Sequence, residues 1–189
     1  MRTRTAKATA AALVAVPLAL GGTVSQSHAQ DASPSPSGTF GTGCAGLAQK
    51  ADTAKDKVAE AAAAYPQLSH LVSAAVRAHL TGTLDGRPDI TVFAPDDKAF
   101  QAVTVAQFAS VLANQGQLKK LLTYHVVDQR ITPDQLSHGS FTTLEGSKLT
   151  TSGSGTDFKV NGKANIVCGN IKAANATIYV IDAVLQPPS

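Results

Sequence analysis

Apolar residues recur at helical spacing in the first half of the chain and at strand spacing in the second. Leu68, Leu71, Val72, Ala75, Val76 and Leu80 fall at steps of three, one, three, one and four. That spacing places them on one face of a helix. Residues 45–64 are rich in alanine, with Lys50, Asp52, Lys55, Lys57 and Glu60 interspersed. They predict a helical stretch that ends at Tyr65-Pro66, because the residue before a proline leaves the α region. Residues 81–89, TGTLDGRPD, are turn-rich. Ile90 to Ala94 predicts a short apolar strand. Residues 96–123 read as two or three short helices broken near Gln115-Gly116, the last with Leu118, Leu121 and Leu122 on its buried face. YHVV, residues 124–127, predicts a further strand.

The pattern then changes. Phe141, Leu144, Leu149, Phe158, Val160, Ile166, Val167, Ile171, Ile178, Val180, Ile181 and Val184 sit in short runs punctuated by glycine. Such runs predict antiparallel strands with tight turns. Helices followed by strands imply an α+β fold with segregated layers, not an alternating parallel sheet.

The ends of the chain read differently. Arg2, Arg4 and Lys7 precede the apolar run AAALVAVPLAL at residues 10–20, and Ser27-His28-Ala29 offers a small-residue cleavage site. Residues 1–29 are expected to be a secretory signal peptide cut after Ala29. A membrane anchor is the competing reading; Pro17 and the shortness of the run argue against a span. No cysteine lies near the cut, so no lipid anchor is expected. Residues 30–43, QDASPSPSGTFGTG, read as a flexible tether, and the folded domain is expected over 44–188.

Removing the leader alters the charge. The chain has 16 Lys+Arg and 13 Asp+Glu, and three of the basic residues lie in the leader, leaving 13 against 13. A neutral mature chain has no basic field to draw nucleic acid or an anionic membrane. Two cysteines, Cys44 and Cys168, survive in it. Export to an oxidising space favours a disulfide between them, and a pair of free buried thiols is the alternative.

The stretch TVFAPDDKAF, residues 91–100, carries two adjacent acids. Pro95 lacks an N–H and ends the strand. Asp96 then stands where a helix N-cap belongs, and Asp97 falls in the first turn, where the helix dipole favours negative charge. A metal-binding or catalytic pair is the other reading, but it needs further ligands at matching spacing and none lies nearby. His70 and His79 are nine apart, not four, and HExxH, P-loop and GxSxG motifs are absent. The expectation is a protein that is not an enzyme and has no cofactor or metal.

TVFAPDDKAF resembles the first signature of the fasciclin (FAS1) domain family. LLTYHVV, residues 121–127, resembles another family segment. Residues 161–188, NGKANIVCGNIKAANATIYVIDAVLQPP, resemble the second signature. Together they cover about residues 44–188. GTGCAGL and IVCGNI are similar to the cysteine contexts of the secreted mycobacterial antigens of MPB70/MPT83 type within that family. The resemblance implies a FAS1 fold, a twisted antiparallel β-wedge flanked by α-helices, and a Cys44–Cys168 disulfide. Asp96-Asp97 replaces the family's common Thr-Asn, and Tyr179 stands where many members have histidine.

The resemblance also implies a secreted, monomeric binding module for cell adhesion, with protein partners at the cell surface or in the extracellular matrix. Tyr124 and His125 match a family motif implicated in adhesion, although a tyrosine and a histidine flanked by Leu121, Leu122, Val126 and Val127 also suit a packed core. Asp182 reads as a structural carboxylate linking the two signatures. A different class, an extracellular carrier of an apolar small molecule such as a carotenoid or lipid, is open to members of the family. The scarcity of aromatic residues argues against it.

Overall fold

The computed structural model describes residues 38–46 and 53–188. The expected leader and residues 30–37 of the expected tether lie outside the described residues. Six helices are described: α1 (Val58–Ala63), α2 (Ser69–Arg77), α3 (Thr81–Asp85), α4 (Asp97–Gln101), α5 (Val105–Ala113) and α6 (Gln115–Tyr124). The seven strands are β1 (Ile90–Pro95), β2 (Val126–Val127), β3 (Ser140–Thr142), β4 (Lys148–Ser154), β5 (Asp157–Val160), β6 (Ala164–Lys172) and β7 (Ala176–Ile181).

The strands form one sheet in the order β2-β1-β7-β6-β5-β4-β3. Five of the six pairings are antiparallel. The sixth, β1 with β7, is parallel, from Ile90 opposite Ala176 to Pro95 opposite Ile181. A parallel pair needs a long crossover, and the α4–α6 layer with the following strands supplies it. Beyond β3 the sheet meets its other edge. Val127 bridges to Thr143, and the Leu144 N–H donates to the Val126 carbonyl at 2.7 Å.

Two cores lie on opposite faces of the central strands. Ile90, Val92 and Ala94 of β1 and Ile178 and Val180 of β7 pack with the helices. Phe93, Tyr179 and Ile181 point the other way, into Ile131, Leu136, Leu149, Phe158 and Val160. Burial on both faces explains why both strands read as continuous apolar runs. In β4 and β5 buried and exposed residues alternate, as one-sided strands do.

Three local differences from the sequence reading have physical causes. Residues 38–43 are not a loose tether end: Phe40 is buried and pairs with Gly169 of β6, because its ring fits against Phe158 and Tyr179. The turn-rich TGTLDGRPD contains α3. Only half of YHVV is strand. Tyr124 ends α6, His125 caps it by donating its N–H to the Leu122 carbonyl, and only Val126 and Val127 extend; the buried Leu118, Leu121 and Leu122 carry the helical period through Tyr124.

The N-terminal segment is clasped to the sheet by the Cys44–Cys168 disulfide, with Cα atoms 4.8 Å apart and 124 residues of separation. Here the structure selects the disulfide over free thiols.

Candidate functional site

The end of β1 and the exit of β7 face one cleft of about 610 Å³, bordered by Asp96, Asp97, Lys98, Gln67 and Asp182 together with Pro66, Val167 and Val180. Three carboxylates on one cleft are the arrangement that could hold a cation, so their hydrogen bonds decide what they do.

Asp96 is the N-cap of α4. Its backbone is extended, and its Oδ1 accepts from the Ala99 N–H at 2.7 Å. Asp97 serves a different helix. Its Oδ1 accepts from the backbone N–H of His70 at 3.0 Å and its Oδ2 from the Ser69 hydroxyl at 2.7 Å, both at the start of α2. The His70 ring lies 2.8 Å away and stacks on Phe100. Burial opposes ionisation of Asp97, but the His70 N–H, the Ser69 hydroxyl and the His70 ring together hold its pKa below the usual carboxylate range. The residue at the start of α2, Leu68 at its N-cap, has no capping side chain of its own; Asp97 supplies the missing acceptor across the layer.

Asp182 faces Asn165. The Asn165 N–H and side-chain amide donate to its two oxygens at 2.7 and 2.6 Å, and its own N–H returns a bond to the Asn165 carbonyl at 3.1 Å. These bonds lie within the second signature, joining β6 to the end of β7. They do not reach the first signature, as the sequence reading had it. Pro95 is the last residue of β1, opposite Ile181, where the absent N–H leaves the ladder bond to Asp96 instead, which donates to the Ile181 carbonyl at 3.0 Å. Among the described residues no group of three or more His, Cys, Asp or Glu side chains is placed to hold a metal ion.

Tyr124 packs in the core that holds Phe93 and Tyr179, and His125 lines an apolar cavity with Val92 and Leu122. The Tyr124 hydroxyl donates to the Lys148 carbonyl at 3.2 Å and accepts from the Asn161 amide at 2.8 Å. Both residues are buried, at 3% and 1% exposure. His125 bonds at both nitrogens: Nδ1 lies 2.9 Å from the Leu121 carbonyl, and Nε2 accepts from the Leu185 N–H at 3.0 Å. Those partners assign the proton to Nδ1. Burial pushes the imidazole pKa down to about 4, against a smaller pull upward from the Leu121 carbonyl. Neither side chain offers a surface to a partner in this state.

Two asparagines tie segments distant in sequence together. Asn175 accepts from the Val58 N–H at the start of α1 and donates to the Leu84 carbonyl in α3 and the Arg87 carbonyl just beyond it. Asn161, at the β5–β6 turn with a positive φ, accepts from the Thr150 N–H and donates to Tyr124. Asparagine tolerates the left-handed region, and its amide can serve as donor and acceptor at once.

Residues 66–187 match the fasciclin domain. The cell surface glycolipoprotein MPB83 of Mycobacterium bovis is 38% identical over 163 residues, covering 79% of this chain and 73% of its own. The immunogenic protein MPB70 of the same species is 35% identical over 188 residues, covering 95% and 90%. A solved FAS1 domain pair from the insect cell adhesion molecule fasciclin I superposes with a TM-score of 0.53 at 16% identity, over 65% of this chain and 46% of that one. The last likeness concerns the fold alone. The chain belongs to the fasciclin domain family.

Proposed function

We propose that the chain is exported and works as a non-catalytic module that binds proteins at the cell surface or in the extracellular matrix. One observation carries this reading: the candidate residues of the sequence are engaged in structural bonds. Asp96 and Asp97 cap helices, Asp182 holds Asn165, Tyr124 and His125 are buried and bonded, and the cysteines are paired. The names of the relatives agree with the place: one is a cell surface glycolipoprotein, and the matched domain pair comes from a cell adhesion molecule. Among the described residues no helix is long and apolar enough to cross a membrane.

The test is a titration of the labelled, oxidised mature chain onto intact cells and onto immobilised matrix proteins. Saturable binding to at least one of these surfaces is expected. Binding that stays linear with concentration on every surface overturns the proposal.

Carriage of an apolar molecule has a single observation on its side. An apolar cavity of about 40 Å³ lies between α1, α2 and α3, with Val92 and His125 among its lining residues. It has room for a few methyl-sized groups. A carotenoid or lipid would require the helices to part, and an organic extract of the purified protein that contains neither pigment nor lipid would overturn that reading.

A further inference from the structure

The chain has five asparagines, and one of them, Asn161, is followed by glycine. The others precede Gln115, Ile166, Ile171 and Ala176. An asparagine before glycine is the most prone to spontaneous deamidation, because glycine has no side chain to hinder close approach of its backbone. In that reaction the Gly162 nitrogen bonds to Asn161 Cγ and gives up its proton, the Cγ–Nδ2 bond breaks, and Nδ2 leaves as ammonia. Water then opens the cyclic imide at either carbonyl, to aspartate or to its β-linked isomer.

The turn around this pair gives little steric cover. Asn161 and Gly162 have φ of +52° and +65°, the signs that a type I′ turn requires. The Lys163 N–H closes the turn on the Val160 carbonyl at 3.1 Å. Gly162 is exposed, and nothing lies within 4 Å of where a Cβ would stand.

What restrains Asn161 is its own carboxamide. Its Oδ1 accepts from the Thr150 N–H of β4 at 2.9 Å, and its Nδ2 donates to the Tyr124 hydroxyl at 2.8 Å. Tyr124 is buried at the end of α6, and its hydroxyl is fixed in turn by the Lys148 carbonyl at 3.2 Å. Attack requires the carboxamide to rotate so that its face meets the Gly162 nitrogen, and both bonds oppose that rotation.

We propose that Asn161 is the deamidation site of this chain and that the Tyr124 hydroxyl keeps it closed in the folded state. Opening of the β5–β6 turn, or loss of the hydroxyl, starts the reaction. The product cannot restore the lock. A carboxylate has no N–H for Tyr124, and the β-linked isomer lengthens the backbone of a turn that holds Val160 opposite Ala164. This gives Tyr124 a task that needs it buried, unlike display to a partner.

The test incubates the oxidised mature chain and its Tyr124→Phe variant in mildly alkaline buffer. Acid at position 161 is read by peptide mass mapping, and the β-linked form by isoaspartyl methyltransferase labelling. In denaturant the two chains are expected to react at the same rate. Folded, the natural chain is expected to react at least tenfold more slowly than in denaturant, and Tyr124→Phe at least fivefold faster than the folded natural chain. Asp96→Ala controls for lost stability, since it removes the α4 cap and leaves the Asn161 bonds in place; its rate is expected to stay within twofold of the natural chain. Equal rates for the folded natural chain and Tyr124→Phe overturn the proposal. So does a folded natural chain that reacts as fast as the denatured one, or acceleration by Asp96→Ala equal to that by Tyr124→Phe. Should Tyr124→Phe not fold, hydrogen exchange of the side-chain amides in the natural chain decides. Slower exchange at Asn161 than at the exposed Asn114 supports the lock, and equal exchange overturns it.

Discussion

The Nε2 of His125 accepts a hydrogen bond from the backbone N–H of Leu185, 60 residues further along the chain. A protonated imidazole cannot accept that bond, and burial holds the pKa at about 4 against 6.5 for a solvated histidine. The folded value lies below the unfolded one, so between those values the unfolded chain binds the extra proton. The contribution is complete above pH 6.5 and is lost as pH falls toward 4, amounting to about 3 kcal/mol. Denaturant titrations from pH 7 to pH 4 should show this slope. His125→Leu should be less stable at pH 7, with Leu185 and Leu121 left unpaired, but flatter across the window. An equal slope in both proteins would place the titration elsewhere.

Adjacent acids that cap different helices should behave independently. Asp96→Ala removes the α4 cap and Asp97→Ala removes the acceptor at the start of α2; each should cost about 1 kcal/mol. Despite being neighbours in sequence, the double variant should cost the sum to within about 0.5 kcal/mol. Chemical denaturation of the three variants checks this, and strong non-additivity would mean that the pair acts as a unit.

Gly169 is the floor on which Phe40 rests, and an added Cβ would meet the Phe40 ring. Phe40→Ala should cost about 3 kcal/mol, and Gly169→Ala should be destabilising through overpacking. In the Phe40→Ala background the Gly169→Ala change should become nearly neutral. Thermal melts of the four proteins close the cycle.

Replacing Cys44 and Cys168 together by serine removes a constraint that spans 124 residues. In the chain-entropy account such a loop is worth about 5 kcal/mol. The melting temperature should drop by several degrees or more, and reduction of the natural chain should reproduce the loss. Equal melting of oxidised and reduced protein would remove the clasp from the stability of the fold.

The fold class and the strands of the central sheet were legible because each rests on a local signal: apolar periodicity for α2 and α6, a proline-acid boundary after β1, a run of short apolar segments for β4 to β7. The sites were less so. Asp97 reads as first-turn chemistry in its own helix, yet its partners Ser69 and His70 come from a helix 27 residues earlier. Asn175 looks like an ordinary turn residue, although its amide ties together two separate segments, the start of α1 and the end of α3. Tyr124 and His125 sit at a helix end because the tertiary fold continues the helix through a stretch whose residues favour strand. Interactions between segments distant in sequence leave no local trace.

The strand order has a consequence for how the chain reaches this state. The last strand made, β7, lies between β1 and β6, so the middle of the sheet is vacant until the C-terminal residues emerge. Assembly must wait for near-complete synthesis and then form its most distant pairings, which slows the collapse of topologies of this kind. A polypeptide that threads a membrane before it folds would gain from that delay.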